Sequence, residues 1–203
     1  MNYLAHMFLS MDHDDLMIGN LSGDFVRVAE MRYMKPDIER GVLLHRKIDK
    51  FTDQHPIVDR TIARLAPTHG KYASVIVDIL YDHALTCNWD KYTDESLDDF
   101  KDRHYRILTR RYDDLPSRLQ KKIGKMVERD FIEAYRSFDG MRVIMRYMDK
   151  RTAFPSKFEG SIDQYEMEFE EFNEDFCEFF PDLINIVKEE AGKLITLPDE
   201  LRR

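Results

Sequence analysis

Acidic and imidazole side chains recur at four-residue spacing within otherwise apolar segments of this chain. His45, Asp49 and Asp53 have this spacing in LLHRKIDKFTD, and Asp78 and Asp82 have it in SVIVDILYDHAL. Residues four apart lie on one face of an α-helix, about one turn from each other. A carboxylate among Val, Ile and Leu is costly to desolvate unless it pairs with a cation or binds a metal. The spacing therefore predicts a site built from two or more helices, most simply a metal site.

Three further residues extend this pattern. His83 adjoins Asp82, and Asn20 and Asp24 are four residues apart in GNLSGDF. Adjacent helical residues point about 100° apart, so Asp82 and His83 can bind one metal only if the helix edge faces it. Hard cations prefer carboxylate oxygens, whereas Mn, Fe and Zn also accept neutral imidazole. A mixed His and Asp set favours Mn, Mg or Fe over a structural Zn, which would usually bring cysteines.

Each of these residues also has a structural interpretation. Asp49 and Asp53 could form the exposed edge of an amphipathic helix and pair with neighbouring basic residues, an interpretation that suits Asp53 better. Asp78 is harder to explain in this way, because apolar residues flank it on both sides. His6, between Ala and Met, is typical of a hydrogen-bonded core histidine.

Composition restricts the class of protein. A chain of 203 residues with 43% hydrophobic and 34% charged residues fits one globular domain. No apolar run is long enough to span a membrane, and the N-terminal segment does not resemble a signal peptide. The net charge of -8 argues against a nucleic-acid-binding protein. Cys87 and Cys177 have no CxxC spacing, so we expect a reducing, cytoplasmic setting.

The charge is unevenly distributed along the chain. Residues 101–125 contain nine Lys or Arg against three Asp, whereas residues 158–200 contain fourteen Asp or Glu against two Lys. A basic segment on an acidic protein could bind an acidic partner. The simpler interpretation is a solvated helix face.

The sequence is helical in pattern almost throughout, with few glycines and no alternating strand-like runs. Loops are predicted at Gly19–Gly23 and Pro67–Gly70, and further breaks at His55-Pro56, Pro116, Gly140, Pro155 and Pro181. Predicted helices cover residues 2–9, 14–19, 24–31, 35–52, 57–65, 73–87, 95–111, 116–123, 125–138, 140–149, 161–178 and 181–193. We therefore expect a single compact all-α domain.

Four blocks of the sequence resemble one known family. They are MNYLAH at residues 1–6, GNLSGDF at 19–25, GVLLHRKIDKFTDQHP at 41–56 and DILYDHALTCNW at 78–89. A later stretch, FIEAYRSFDGMRVIMRYMDKRTAFP at 131–155, fits the same family's helix-Gly-helix-Arg pattern. In order and spacing these blocks resemble the acyl carrier protein phosphodiesterases, also called holo-acyl-carrier-protein hydrolases. The resemblance extends over about residues 1–180.

The resemblance implies an all-helical fold distantly akin to the HD phosphohydrolases and a divalent metal, usually Mn. It also implies hydrolysis of the phosphodiester that joins 4′-phosphopantetheine to a serine of holo acyl carrier protein. By position it assigns metal binding to Asp24, His45, Asp82 and His83, with Asp49 as a further ligand or a supporting group. Asp24, His45, Asp49 and Asp82 are also candidates for catalysis.

The chemistry of that reaction suggests roles for neighbouring residues. Arg46 is expected to neutralise charge on the phosphoryl oxygens, and His6 and Asn20 to orient ligands or water. Asp53 and Asp78 could do the same or act as a base. Carrier proteins are acidic, so a basic docking surface is expected on the 101–125 segment. Its candidate residues are Arg103, Arg106, Arg110 and Arg111.

Two other functions remain open from the sequence. One is a metal-dependent phosphohydrolase or oxygenase that uses the same His and Asp residues on a small molecule. The other is a non-catalytic helical binding or scaffold protein, in which the acidic residues form structural ion pairs. Chelation would leave the melting temperature of such a scaffold unchanged.

Overall fold

A computed structural model describes residues 1–150 and 157–196 of the chain. Within these ranges every regular element is a helix and no β-strand is present, which confirms the all-α prediction. The α-helices are α1 (Tyr3–Phe8), α2 (Asp14–Ser22), α3 (Val28–Met31), α4 (Pro36–Asp53), α5 (Pro56–His69), α6 (Ala73–Cys87), α7 (Leu97–Arg110), α8 (Ser117–Glu128), α9 (Phe131–Ala134), α10 (Phe138–Asp149), α11 (Ser161–Met167) and α12 (Phe169–Thr196). Short 3₁₀ turns cover Gly23–Phe25, Gly70–Tyr72, Trp89–Lys91 and Tyr112–Asp114.

The predicted breaks are correct at some positions and wrong at others. Pro36 begins α4 and Pro56 begins α5, because proline suits the first turn of a helix. The loops predicted at Gly19–Gly23 and Pro67–Gly70 are wrong, since α2 continues to Ser22 and α5 to His69. The predicted break at Pro155 lies outside the described residues.

Two more boundaries differ from the predictions in the second half of the chain. Pro181 lies inside α12, where burial of Phe180 and Leu183 on either side offsets the lost backbone hydrogen bond. The predicted helix 125–138 is interrupted at Asp130, whose φ of 47° is left-handed and incompatible with a continuing α-helix.

Helices α2 and α4 pack backbone against backbone. A Cβ on Gly19 would lie 2.0 Å from the carbonyl oxygen of Ile38, and a Cβ on Gly41 would lie 2.2 Å from that of Leu16. Only glycine permits so close an approach at these two positions. The C-terminal end of α2, which carries Asn20, therefore lies against the middle of α4, which carries His45. Asp24 follows in the 3₁₀ turn directly after α2.

Helices α5, α6 and α12 enclose the other part of the core. Buried Phe176 and Phe179 of α12 pack against Tyr81 of α6, with ring centroids 5.4 and 5.6 Å apart. Buried Asp175 accepts hydrogen bonds from Arg60 Nε and from the hydroxyl of Thr61, at 2.7 and 3.0 Å. The acidic, Phe-rich stretch therefore supplies core aromatic residues and one buried carboxylate that binds α12 to α5.

Candidate metal centre

Three helices bring two imidazoles and two carboxylates together. One donor atom each from His6, His45 and Asp49 lies within 4.8 Å of the others. His45 Nε2 is 3.0 Å from Asp49 Oδ2 and 3.3 Å from Asp24 Oδ1, and His6 Nε2 is 3.3 Å from Asp49 Oδ1. The two imidazole rings stack with centroids 4.3 Å apart. We refer to His6, Asp24, His45 and Asp49 as the His/Asp cluster.

The hydrogen bonds of Asn20 fix the tautomer of His6. Asn20 Nδ2 donates to the carbonyl oxygen of His6 at 2.9 Å and to Ser10 Oγ at 3.1 Å, so its Oδ1 is an acceptor. His6 Nδ1 lies 2.7 Å from that Oδ1 and therefore carries the proton it donates. His6 Nε2 is left with a lone pair, is buried, and forms no hydrogen bond of acceptable geometry among the described residues. A buried lone pair that faces a second imidazole and a carboxylate fits a metal ligand.

Burial and charge set the protonation of the cluster. Burial lowers the pKa of His6 and outweighs the opposing effect of the nearby Asp49 carboxylate, so His6 is neutral. Burial also opposes protonation of His45, but the hydrogen bonds and charges of Asp24 and Asp49 raise its pKa to about 9. The same contacts with the histidines hold the pKa of Asp49 well below its usual range despite burial. Without a metal, the His45 imidazolium therefore carries the positive charge between two carboxylates.

The cluster opens to solvent on the side of Asp24. The Asp24 side chain is 73% exposed, whereas the His6 and His45 side chains are 4% and 8% exposed. A Cβ on Gly23 would lie 2.2 Å from the His45 ring, so glycine is needed here for the chain to pass beside the imidazole. The Arg46 guanidinium donates to the carbonyl oxygen of Val26 at 3.3 Å and thereby fixes the segment after Asp24 to α4.

Asp82, predicted as a ligand, binds the N-terminus of α1 instead. Its carboxylate accepts from the backbone N–H groups of Leu4 and Ala5 at 2.9 and 3.1 Å. Asp82 is fully buried, and burial raises its pKa to about 7 although the two backbone donors oppose this. The structure does not bring this carboxylate into the group of donors that includes His6. It places Asp82 where it orients the helix that carries His6.

His83, also predicted as a ligand, lies in an aromatic environment. Its Nδ1 is 2.9 Å from the hydroxyl of Tyr165, and its ring packs against Phe138 and Phe169 at centroid distances of 5.0 and 5.8 Å. Burial lowers its pKa to about 4, so it is neutral. Because neighbouring helical residues point in different directions, Asp82 faces α1 while His83 faces α11. His83 is not brought into the His/Asp cluster.

Asp78 and Asp53 lie near the cluster without being part of it. Asp78 Oδ1 is 2.8 Å from the buried amino group of Met1. Asp53 is exposed to solvent on one side. Partial desolvation on its other side, together with the charges of Asp78 and Asp49, raises its pKa. Both are therefore placed to influence the electrostatic field of the cluster from its side.

The predicted docking arginines of α7 mostly have carboxylate partners within the chain. Arg103 binds Glu95 and Asp12, Arg110 binds Asp14, and Arg111 binds Asp15 and Asp114. Arg106 is exposed, and its Nε donates to the carbonyl oxygen of Asp102 at 3.1 Å. A cleft of about 910 Å³ beside these residues is lined by both signs of charge. Their docking role stays a prediction.

Of the four cluster residues, His6 has the role that is least evident from the sequence. His6 lies on a six-residue helix and has no His or Asp at four-residue spacing, so spacing could not connect it to His45. Its inclusion in the MNYLAH block was the one signal, and that signal favoured a supporting role. The contact between the His6 and His45 rings forms only because α1 packs across α2 and α4.

Comparison with known proteins identifies relatives over most of the chain. The family model described as acyl carrier protein phosphodiesterase matches residues 1–183. A Yersinia enterocolitica protein named acyl carrier protein phosphodiesterase is 28% identical over 91% of this chain and 96% of its own length. Proteins of the same name from Photorhabdus laumondii and Serratia proteamaculans are 28% and 26% identical, over 89% and 93% of this chain and 92% and 98% of theirs. No solved structure matches, and no helix in the described part of the chain is long and apolar enough to cross a membrane.

Proposed function

Because the chain belongs to the acyl carrier protein phosphodiesterase family, we propose that it hydrolyses holo acyl carrier protein at the His/Asp cluster. The bond cleaved joins the phosphate of 4′-phosphopantetheine to a serine oxygen of the carrier. Water adds across this bond and gives apo carrier protein and free 4′-phosphopantetheine. The observation that carries this proposal is the buried, unpartnered Nε2 of His6 beside His45 and Asp49 in a chain of this family. The unpaired cysteines are consistent with the cytoplasmic location that we also propose.

The donor set of the cluster fits a divalent cation. His6, His45 and Asp49 would hold the ion, and Asp24 would complete its binding from the solvent side. Two neutral imidazoles with two carboxylates suit Mn, which we propose, and also Fe. Binding would require that His45 lose the proton it carries in the metal-free protein. When bound, such an ion lowers the pKa of water and polarises phosphoryl oxygens.

The residues around the cluster have separate roles in this proposal. Asn20 keeps the His6 proton on Nδ1 and so keeps Nε2 available. Asp24 is ionised, because the hydrogen bond from His45 lowers its pKa, and its exposed oxygens can accept a proton from water. Asp82 orients α1 and thereby His6. Arg46, next to His45, fixes the segment that follows Asp24. Its guanidinium is the candidate to offset the negative charge of the phosphate.

The test is intact mass spectrometry of holo acyl carrier protein incubated with the purified protein and Mn. We expect loss of the phosphopantetheine group, with a decrease of at least 100-fold in rate for His6→Ala and Asp49→Asn. The matched control is Asp59→Asn, an exposed carboxylate on α5, which should retain the wild-type rate. No mass loss with any of Mn, Mg and Fe would refute the proposed reaction.

Two measurements separate this function from the alternatives. A scaffold protein would contain no Mn, Fe or Zn after purification without chelator, and chelation would not lower its melting temperature. A small-molecule phosphohydrolase would release phosphate from small substrates while the mass of the carrier protein stayed constant. The proposed function requires bound metal, a lower melting temperature after chelation, and a decrease in the mass of the carrier protein.

A further inference from the structure

The segment from Val26 to Lys35 combines exposed apolar and basic side chains at the open side of the His/Asp cluster. Val28 is 73% and Tyr33 is 78% exposed, although both are large hydrophobic residues. Arg27, Arg32 and Lys35 surround them and are also exposed. We refer to these five residues as the α3 surface. Glu30 is the single acidic residue between Val26 and Lys35, so the segment carries a net charge of +2 on a chain of net charge -8.

The α3 surface has a defined conformation. Met31 is 5% exposed and anchors α3 in the core, while Glu30 accepts from the backbone N–H of Arg27 at 2.7 Å. The Arg32 guanidinium lies 4.7 Å from the centroid of the Tyr33 ring, a cation–π contact that keeps both side chains together at the surface. Exposed apolar residues held in place beside cations are typical of a binding surface rather than a solvated helix face.

The reaction itself requires docking close to the cluster. The bond that is cleaved begins at a serine on the surface of the carrier protein, so that surface must come within a few ångströms of the reacting phosphate. Val28 follows Asp24 by four residues, and four residues span at most about 14 Å. Arg110 and Arg111 instead bind Asp14 and Asp15, which lie at the end of α2 opposite to Asp24.

Charge favours the α3 surface over α7. Arg103 and Arg110 of α7, and Arg111 directly after it, pair with carboxylates of the same chain. Among the described residues, the one ion pair of the α3 surface joins Lys35 to Asp114, at 3.6 Å and with the lysine side chain 62% exposed. Cations with little internal compensation are the ones available to an acidic partner.

We propose that the acidic carrier protein docks on the α3 surface, with Val28 and Tyr33 in apolar contact and Arg27, Arg32 and Lys35 facing its carboxylates. This inference rests on the proposed function. It assigns the recognition of the carrier to residues that neither the four-residue spacing nor the basic 101–125 segment predicted.

Charge reversal at matched positions tests the docking surface. Arg32→Glu should raise KM for holo carrier protein at least tenfold and leave kcat within twofold, and Tyr33→Ala should raise KM about fivefold. Arg106→Glu, the same change on exposed α7, should leave KM within twofold. Raising the salt concentration should raise the wild-type KM and have less effect on Arg32→Glu. Melting temperatures establish that each variant is folded.

Binding of apo carrier protein, measured by fluorescence anisotropy, separates this proposal from the proposed function. If the wild type binds apo carrier and Arg32→Glu weakens binding tenfold, the docking surface is correct even where no hydrolysis is seen. If the wild type hydrolyses holo carrier but Arg32→Glu behaves like the wild type, the docking proposal alone is wrong. An increase in KM with Arg106→Glu and not with Arg32→Glu would assign docking to α7 instead.

Discussion

At the scale of single residues, the cluster depends on which nitrogen of each histidine is available. His6 Nε2 keeps its lone pair because Asn20 Oδ1 accepts a hydrogen bond from Nδ1–H, whereas His45 Nε2 lies between two carboxylates. The two stacked imidazoles therefore differ in charge in the metal-free protein. One is a ready ligand, and the other must first lose a proton.

Replacing Asn20 should reduce metal affinity without removing any ligand. In Asn20→Ala the His6 ring loses the acceptor that fixes its tautomer and orientation. We expect Mn affinity to fall about 10- to 100-fold, which is typical when a hydrogen-bond partner of a metal-binding histidine is lost. Titration calorimetry measures this directly. Asn88→Ala removes another buried amide, bonded to Ala84 and Asn173, and should leave Mn affinity unchanged.

The stability of the metal-free protein should depend on pH through His45. Its pKa is about 9 in the folded state against 6.5 for the unfolded chain. The folded state therefore binds this proton more tightly, and the stabilisation is complete below pH 6.5 and lost as pH rises through 9. Since Asp49 is partly exposed, we expect a loss of about 1–2 kcal/mol. Urea unfolding with chelator at pH 6 and pH 9.5 should show a difference between wild type and His45→Gln that shrinks with pH. A difference independent of pH would contradict this assignment.

At the scale of elements, close helix contact and a helix cap position the cluster. The glycine contacts of α2 and α4 bring Asn20 and Asp24 against His45. Asp82 of α6 accepts from the first turn of α1, and a carboxylate is favourable at that positive end of a helix. Asp82 thus acts on His6 through the backbone of α1.

Substitution of Gly41 tests the contact between α2 and α4. A methyl group at Gly41 would lie 2.2 Å from the carbonyl oxygen of Leu16, so the helices must separate. We expect Gly41→Ala to lower the free energy of unfolding by about 3 kcal/mol and to weaken Mn binding. Gly124 in α8 has no atom within 4 Å of an added Cβ, so Gly124→Ala should raise stability by about 0.5–1 kcal/mol. Chemical denaturation compares the two, and equal effects would argue against the packing explanation.

At the scale of the whole molecule, internal pairing decides which positive charges are available. The chain has a net charge of -8, and Arg103, Arg110 and Arg111 of its most basic segment pair with Asp12, Asp14 and Asp15, which lie before α2 or in its first turn. These pairs connect the end of α7 to the start of α2. On the α3 surface Lys35 pairs with Asp114, whereas Arg27 and Arg32 form no ion pair among the described residues.

Arg111 should therefore contribute to stability rather than to substrate binding. It contacts both Asp15 and Asp114, and its side chain is 19% exposed. Arg111→Ala should lower the free energy of unfolding by about 1–2 kcal/mol, because two partly buried carboxylates lose their partner. KM for the carrier protein should stay within twofold. Arg106→Ala, on the preceding helix α7, should change neither quantity.

Much of the secondary structure could be predicted from the sequence, because periodicity and proline placement act locally. The bounds of α6 and the start of α4 agree with prediction. The predictions failed at Gly19 and Pro181, where tertiary packing stabilises helix through residues that usually end it, and at Pro67, through which α5 also continues. Periodicity and proline placement are local features of the sequence, so they cannot report the free energy of packing against residues that are distant in the sequence.

Three properties follow from the amino-acid sequence alone, namely the all-α class, the family resemblance and the placement of His45 and Asp49 on one helix face. Which helices meet at that face depends on tertiary packing. It brings His6 and Asp24 to His45, and it directs Asp82 to the α1 backbone and His83 to Tyr165. Four-residue spacing determines only that two side chains point to the same face of one helix. The partners across helices depend on the glycine contact and on the cap of α1, which exist only once the chain has folded.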